Sequence, residues 1–201
     1  IVDSKRKLIG IHVLDELLIE KKKFNKVVIM AGGKGTRLRP LTQNIPKPML
    51  KIGNKPILKI IVEKFRDCGF KDIIICTNYK SQIIKNYFGD GKRFGVKIEY
   101  IKEKQRMGTA GALSLLKNKL NEPFFVINGD LLTNLNFEKM LDFHIKHKSI
   151  ATMSVKKYTI DSLYGEVILN GENIFSINEK PKHKFFVNAG IYILDPECIK
   201  L

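Results

Sequence analysis

The sequence predicts an α/β fold: a mostly parallel, mixed sheet with helices on both faces, carrying a β-rich second half. Three observations predict it. Between residues 26 and 147, short apolar runs of strand length alternate with segments whose apolar residues recur every three or four positions, the texture of β-α-β units built around a parallel sheet. After Ser149 the helical period disappears and strand-like runs succeed one another, with Asn170-Gly171 as a hairpin turn between two of them. The first core strand runs directly into Gly32-Gly33-Lys34-Gly35, and open α/β sheets bind ligands at the carboxyl ends of their parallel strands.

In chain order, residues 8–13 read as a strand and 14–20 as a short amphipathic helix, with Lys21-Lys22-Lys23 as a linker. Residues 26–31 are a buried strand, and a Gly-rich, Pro-punctuated loop extends from there to Pro48. Pro56 opens a helix whose Ile57, Ile60, Ile61 and Phe65 share a face and which stops at Gly69. The alternation continues with strand 72–77, helix 80–88, strand 97–101, helix 109–117, strand 124–128 and helix 137–147. Strands at 150–155, 165–169, 173–178 and 185–194 make up the second half, and Asp195-Pro196-Glu197 reads as a fresh helix start. With Ile1 at one end and that helix start at the other, the chain reads as an excised segment.

Of the 201 residues, 44% are apolar and 28% charged, the profile of a folded chain and not of a disordered one. Lys and Arg number 36 against 20 Asp and Glu, a net charge of +16, which favours polyanionic partners. Nucleic acid is set aside as a partner, because it calls for basic residues interleaved with stacking aromatics, whereas Phe here sits in apolar runs such as Phe124-Phe125-Val126. No apolar run nears the ~18 residues of a membrane span and no leader opens the chain. The expectation is a soluble, cytoplasmic protein with no membrane contact. Cys68, Cys76 and Cys198 form no C-x-x-C pair and imply neither a disulfide framework nor a thiolate zinc site. His144 and His147, three apart on a helix with no accompanying carboxylate motif, read as a solvated pair.

The residues just past each parallel strand are diagnostic. The strand ends carry Gly32-Gly33-Lys34-Gly35-Thr36-Arg37, then Thr77-Asn78, then the stretch from Glu103 to Gly108-Thr109, then Asn128-Gly129-Asp130. All four clusters are expected to face one crevice. Glycines at 32, 33 and 35 let backbone N–H groups approach an oligophosphate, and Lys34, Arg37, Arg39 and Lys47 surround that loop with positive charge. A dinucleotide fingerprint would need a third Gly near Leu38 and an acid where Asn78 stands, and a Walker A loop would need Ser or Thr directly after Lys34. Neither fits. Asp130, at a strand end facing the loop, is placed as a ligand for Mg²⁺, which is held by one or two carboxylates plus phosphate oxygens.

Gly32-Gly33-Lys34-Gly35-Thr36-Arg37-Leu38-Arg39-Pro40-Leu41-Thr42 and Lys47-Pro48-Met49 resemble the signature of the sugar-1-phosphate nucleotidyltransferases, the nucleotide-sugar pyrophosphorylases. The resemblance continues through Gly108-Thr109-Ala110-Gly111, Asn128-Gly129-Asp130, Tyr164-Gly165, Glu179-Lys180-Pro181 and Asn188-Ala189-Gly190. It implies a Rossmann-like fold with a sugar-binding second half, and transfer of a nucleoside monophosphate from an NTP to a sugar 1-phosphate with release of pyrophosphate. It gives Gly32, Gly33, Gly35 and Thr36 the β and γ phosphates, Arg37 and Lys47 the catalytic stabilisation of the α-phosphate, and Asp130 the Mg²⁺ cofactor. Asn78, Gly108 and Thr109 would meet base and ribose; Gly165, Glu179 and Asn188 the sugar hydroxyls; Lys180 the sugar phosphate.

Asn78-Tyr79-Lys80 and the stretch from Glu103 to Gly111 are most similar to the guanylyltransferase branch, which makes GTP the favoured nucleotide. Thymidylyl-, uridylyl- and cytidylyltransferases share the phosphate loop, and a non-catalytic regulatory subunit on the same fold is a further alternative. Residues 1–20 resemble the end of a CBS motif, so 1–23 is expected to be a CBS remnant plus linker and 24–201 a nucleotidyltransferase domain truncated at its C-terminus. The family's second magnesium carboxylate is expected beyond the segment, leaving the metal site incomplete and turnover poor. A homo-oligomer is compatible with the resemblance.

Overall fold

The computed structural model describes residues 4, 23–103, 111–117 and 119–199. The expected strand at 8–13, the helix at 14–20 and the CBS-like segment lie outside the described residues.

The centre of the molecule is a six-stranded sheet ordered β5-β4-β1-β6-β10-β7, formed by β1 (Val27–Ala31), β4 (Asp72–Thr77), β5 (Lys97–Lys102), β6 (Phe124–Asn128), β7 (Ala151–Asp161) and β10 (Lys182–Leu194). β1 lies between β4 and β6, parallel to both, with Ile29 opposite Ile75 on one side and Ile127 on the other. β10 runs antiparallel to β6 and to β7 and makes the sheet mixed. Two small hairpins lie outside it: β2 (Lys51–Ile52) with β3 (Lys55–Pro56), and β8 (Glu166–Asn170) with β9 (Asn173–Asn178). The second turns at Gly171, whose φ of 63° suits glycine.

Because side chains alternate across a strand, each central strand feeds two cores. Val27, Ile29, Ile73, Ile75, Phe125 and Ile127 face α1 (Ile57–Asp67), α2 (Ser81–Phe88) and α3 (Phe137–Lys146). Val28, Ile74, Cys76, Phe124 and Val126 face the 3-10 segment Gly111–Leu116, with Ile199 of the 3-10 turn Pro196–Ile199 packed alongside. Helical elements thus cover both faces, α-helices on one and 3-10 turns on the other. On the first face Phe65 of α1 stacks on Phe137 of α3 with ring centroids 3.9 Å apart and meets Phe125 of β6 edge-on at 5.3 Å. Such aromatic pairs contribute roughly 0.5–1.5 kcal/mol beyond their burial.

Several expectations are corrected. Of the helix expected over 109–117, the described part is 3-10: the Ser114 hydroxyl donates to the Gly111 carbonyl at 2.7 Å, an acceptor that an α-helical first turn would use. α2 begins at Ser81 because Lys80 has a left-handed φ of 49°. β7 and β10 extend beyond 150–155 and 185–194 as a two-stranded ribbon in which Asp161 pairs with Lys182. The ribbon is wet on both faces, so Lys156, Lys157 and Lys184 break the apolar alternation that marks a half-buried strand. The β2–β3 hairpin lies past the loop expected to end at Pro48, where no element is expected, and takes in Pro56, so α1 starts at Ile57. Among the described residues no helix is long and apolar enough to cross a membrane.

His144 is buried and not solvated, because its face of α3 packs on β7, where its Nδ1 lies 2.8 Å from the Thr152 hydroxyl. Burial holds its pKa below the usual 6.5, against an opposing pull from Asp195. A group with a depressed folded pKa contributes stability that is fully present above the unfolded value and lost as pH falls through the folded one. Denaturant titrations should therefore show stability declining below pH 6.5, with a shallower decline in His144→Gln; equal declines would assign the effect to other groups.

Candidate active site

The chain leaves β1 toward β4 and β5 and then crosses back to β6, so neighbouring β1 and β6 are a point where the strand order reverses. A crevice opens there beyond the carboxyl ends of the strands. It is a cleft of about 500 Å³, within the roughly 300–1,000 Å³ typical of ligand sites. Gly32, Gly33, Gly35, Thr36 and Arg37 line it from β1, Asn128 and Asp130 from β6, Glu103 from β5, and Lys47 and Pro48 from the loop.

The loop after β1 is held by its own contacts. Gly35 has φ 61°, and a Cβ there would sit 2.9 Å from Thr42 Cγ2 and 3.2 Å from Lys47 Cβ, so the position requires glycine twice over. Thr42 is buried beneath it and donates its hydroxyl to the Gly35 carbonyl at 2.7 Å. From the end of β4 the Tyr79 hydroxyl donates to the Gln43 carbonyl at 2.9 Å. Pro48 and Met49 are buried, which anchors the turn that presents Lys47. The Lys47 ammonium forms an ion pair with the Asp130 carboxylate, joining the loop to the end of β6. Lys34, Arg37 and Arg39 are exposed around the same loop. In the low-dielectric mouth of a cleft this concentration of positive charge acts strongly on a polyphosphate.

At the other end of the crevice the tips of β1, β4 and β5 converge. A Cβ on Gly32 would lie 3.0 Å from Glu103 Oε1 and 3.3 Å from Asn78 Cβ, and Asn78 Nδ2 donates to the Glu103 carbonyl at 3.4 Å. Gly108 and Thr109 lie outside the described residues. In the β-rich half, Gly165 faces Glu179: a Cβ at Gly165 would meet Glu179 Oε2 at 3.0 Å. Lys180 beside it is exposed with a left-handed φ of 44°. Asn188 sits where the pairing of β10 with β7 shifts register. Its Oδ1 accepts from Gly190 N at 2.7 Å and its Nδ2 donates to the Tyr192 hydroxyl at 2.6 Å. Gly190 in turn presses on Asn128, with a Cβ there 2.7 Å from Asn128 Nδ2. The bulge at Asn188 therefore adjoins the crevice, whereas Gly165, Glu179 and Lys180 do not line it.

Among the described residues no group of three or more His, Cys, Asp or Glu side chains is gathered for a metal. Asp130 offers one carboxylate beside the phosphate loop, which fits Mg²⁺ arriving with a nucleotide, since Mg²⁺ takes few carboxylates and keeps substrate phosphate oxygens as ligands. Glu103, Thr42 and Tyr79 carried no assigned role in the sequence. Glu103 shares the strand-end position of Asn78 and Asp130, which is a readable signal; the bonds of Thr42 and Tyr79 to distant backbone are not. If Thr42 shapes the loop, Thr42→Val should weaken inorganic tripolyphosphate binding roughly 5- to 10-fold, the worth of about one hydrogen bond, and Thr42→Ser should restore it in calorimetry. Equal affinities in all three proteins would remove Thr42 from that role.

The chain matches the nucleotidyl transferase family over residues 26–201. It is 39% identical over 185 residues to the mannose-1-phosphate guanylyltransferase catalytic subunit beta of Danio rerio, covering 87% of this chain and 51% of that protein. It is 38% identical over 188 residues to the mannose-1-phosphate guanyltransferase of Saccharomyces cerevisiae, covering 88% and 51%. The chain thus spans about half the length of the curated relatives it matches. Among solved structures, HddC from Yersinia pseudotuberculosis complexed with GMP-PN superimposes with a TM-score of 0.68 at 31% identity, covering 88% of this chain and 79% of that one. A match that runs from β1 through the phosphate loop and Asp130 to the end of β10 leaves one assignment: the chain belongs to the nucleotidyl transferase family.

Proposed function

We propose that this chain carries the site for guanylyl transfer to a sugar 1-phosphate, in which GMP moves from GTP to the sugar phosphate and pyrophosphate is released. The carrying observation is the meeting of the Gly32–Arg37 loop with Lys47 and Asp130 across the β1/β6 crevice. The guanine choice is supported by the relatives named mannose-1-phosphate guanylyltransferase and by the GMP-PN complex of HddC. The relatives' names also make mannose 1-phosphate the first sugar to test, with glucosamine 1-phosphate next.

In this reading a sugar-phosphate oxygen attacks the α-phosphorus in line while the bond to the bridging α–β oxygen breaks. The nucleophile is ionised at neutral pH, so no general base is required and the site's work is positioning and charge neutralisation. Gly32, Gly33, Gly35 and Thr36 hold the β and γ phosphates through backbone N–H groups. Arg37 and Lys47 neutralise charge on the α-phosphate as it redistributes. Asn78, Gly108 and Thr109 take the nucleoside, Gly165, Glu179 and Asn188 the sugar hydroxyls, and Lys180 the sugar phosphate. Asp130 would hold Mg²⁺, which when bound shields the repulsion between the two anionic substrates. The ion pair of Lys47 with Asp130 supports this reading, because it holds the ammonium beside the carboxylate that would carry Mg²⁺.

Two measurements test the reading. Pyrophosphate release, with each NTP against a panel of sugar 1-phosphates, should be fastest with GTP; a tenfold preference for UTP or dTTP would sink the guanine assignment and leave the reaction class standing. In the same assay Lys47→Ala should lower kcat roughly 10²-fold or more, the scale of losing one preorganised donor. A change confined to KM would make Lys47 a ground-state binding residue.

A further inference from the structure

A second cleft, of about 340 Å³, opens between α1, α2 and the 3-10 turn Lys92–Phe94. It is within the size range of small-ligand sites and shares no lining residue with the crevice. The turn leads into the amino end of β5, so this wall of the cleft lies at the opposite end of the strands from the phosphate loop. Lys59, Glu63 and Arg66 line it from successive turns of one face of α1, Tyr87 from α2, and Arg93 and Phe94 from the turn.

The walls are tied together. The Arg66 side chain lies on Gly95, where a Cβ would sit 3.1 Å from Arg66 Cδ, and Arg66 Nη1 donates to the Phe94 carbonyl at 3.2 Å. Phe94 and Tyr87 stack with ring centroids 5.8 Å apart, and the Arg93 guanidinium stands over both, 4.9 Å from Phe94 and 5.6 Å from Tyr87. Lys59 Nζ also stands over Phe94, at 5.7 Å. A guanidinium laid on a ring keeps its in-plane fork of N–H groups for an anion. Among the described residues that of Arg93 has no carboxylate partner and donates no hydrogen bond.

Four cations, Lys55, Lys59, Arg66 and Arg93, stand here against two carboxylates. Asp67 is taken by Arg66 at 2.7 Å and Glu63 Oε2 by Lys55 at 2.8 Å. Glu63 Oε1 has Lys59 at 3.7 Å, beyond hydrogen-bond distance, and stands open to a donor. Bringing Lys59 and Arg93 to one ring is repulsive, and a doubly charged anion between them reverses the sign. A bare phosphate would also set its oxygens against Glu63 Oε1. A phosphate ester whose organic part carries hydroxyl groups gives the cations their anion and Glu63 its donor.

We infer that this cleft is a second ligand site, which takes the phosphate group of a sugar phosphate on Arg93 and Lys59 and a sugar hydroxyl on Glu63. The inference rests on the cleft alone and stands or falls apart from the guanylyl-transfer reading.

The test is calorimetric binding of glucose 6-phosphate, glucose and inorganic phosphate to the wild-type protein, Arg93→Gln, Arg93→Lys and the crevice variant Lys47→Ala. Wild type should bind glucose 6-phosphate, with glucose and inorganic phosphate each roughly 10-fold or more weaker. Arg93→Gln should lose roughly 10-fold or more in glucose 6-phosphate affinity, the scale of one hydrogen bond to a charged group. Arg93→Lys, which keeps the charge without the planar fork, should lose part of that, and Lys47→Ala nothing. Matching circular dichroism across the variants assigns a loss to the site and not to unfolding. Inorganic phosphate bound as tightly as glucose 6-phosphate would overturn the sugar-phosphate assignment. Absence of binding by the wild type, or an affinity that falls in Lys47→Ala and holds in Arg93→Gln, would overturn the site.

Discussion

The structure depends on the parallel seating of β1 between β4 and β6. Every residue of β1 except Met30 is buried, so the strand has no solvent face and can occupy only the middle of the sheet. A one-residue slip in its register would exchange Val27 and Ile29 with Val28 and Met30 between the two cores. It would also move the glycine loop by one residue against Asn128 and Asp130. Fixing β1 therefore fixes which strand-end groups meet: Met30 opposite Asn128 puts Gly32 and Asp130 on the same rim. Packing and chemistry share one constraint.

The loops act through what they refuse as much as through what they hold. Gly32, Gly35 and Gly190 each sit where a Cβ would press on a neighbour, respectively Glu103, Thr42 and Asn128. In each case the neighbour is a polar side chain at or beside the crevice, so the glycine sets how closely that side chain can approach. The bulge between Asn188 and Tyr192 serves the same end. It turns β10 from its pairing with β6 into the exposed ribbon with β7 and sets Asn188 beside the strand-end groups.

Much of this was legible in the sequence for physical reasons. Buried parallel strands must be short apolar runs, and Ile73-Ile74-Ile75 and Phe124-Phe125-Val126 leave little else to read. The strand-end rule then assembled Gly32, Asn78 and Asp130 without coordinates. What was not legible is what depends on distant partners. Nothing local in Phe143-His144-Ile145 reports that Thr152 waits for the imidazole, and the hydroxyls of Thr42 and Tyr79 find backbone carbonyls that no pattern announces. The ribbon of β7 and β10 was under-read for the opposite reason: its strands pair without a buried face, so hydrogen bonding holds them where hydrophobic alternation would have signalled them.

Charge divides the crevice, and the division comes from the order of the sheet. Lys47 pairs with Asp130 at the β6 side, leaving the exposed Lys34, Arg37 and Arg39 to set the sign of the loop. Glu103 sets the opposite sign at the β5 side, with β4 and β1 between it and β6. Under the guanylyl-transfer reading the two fields favour one orientation of the nucleotide, because reversing it would place phosphate against the Glu103 carboxylate.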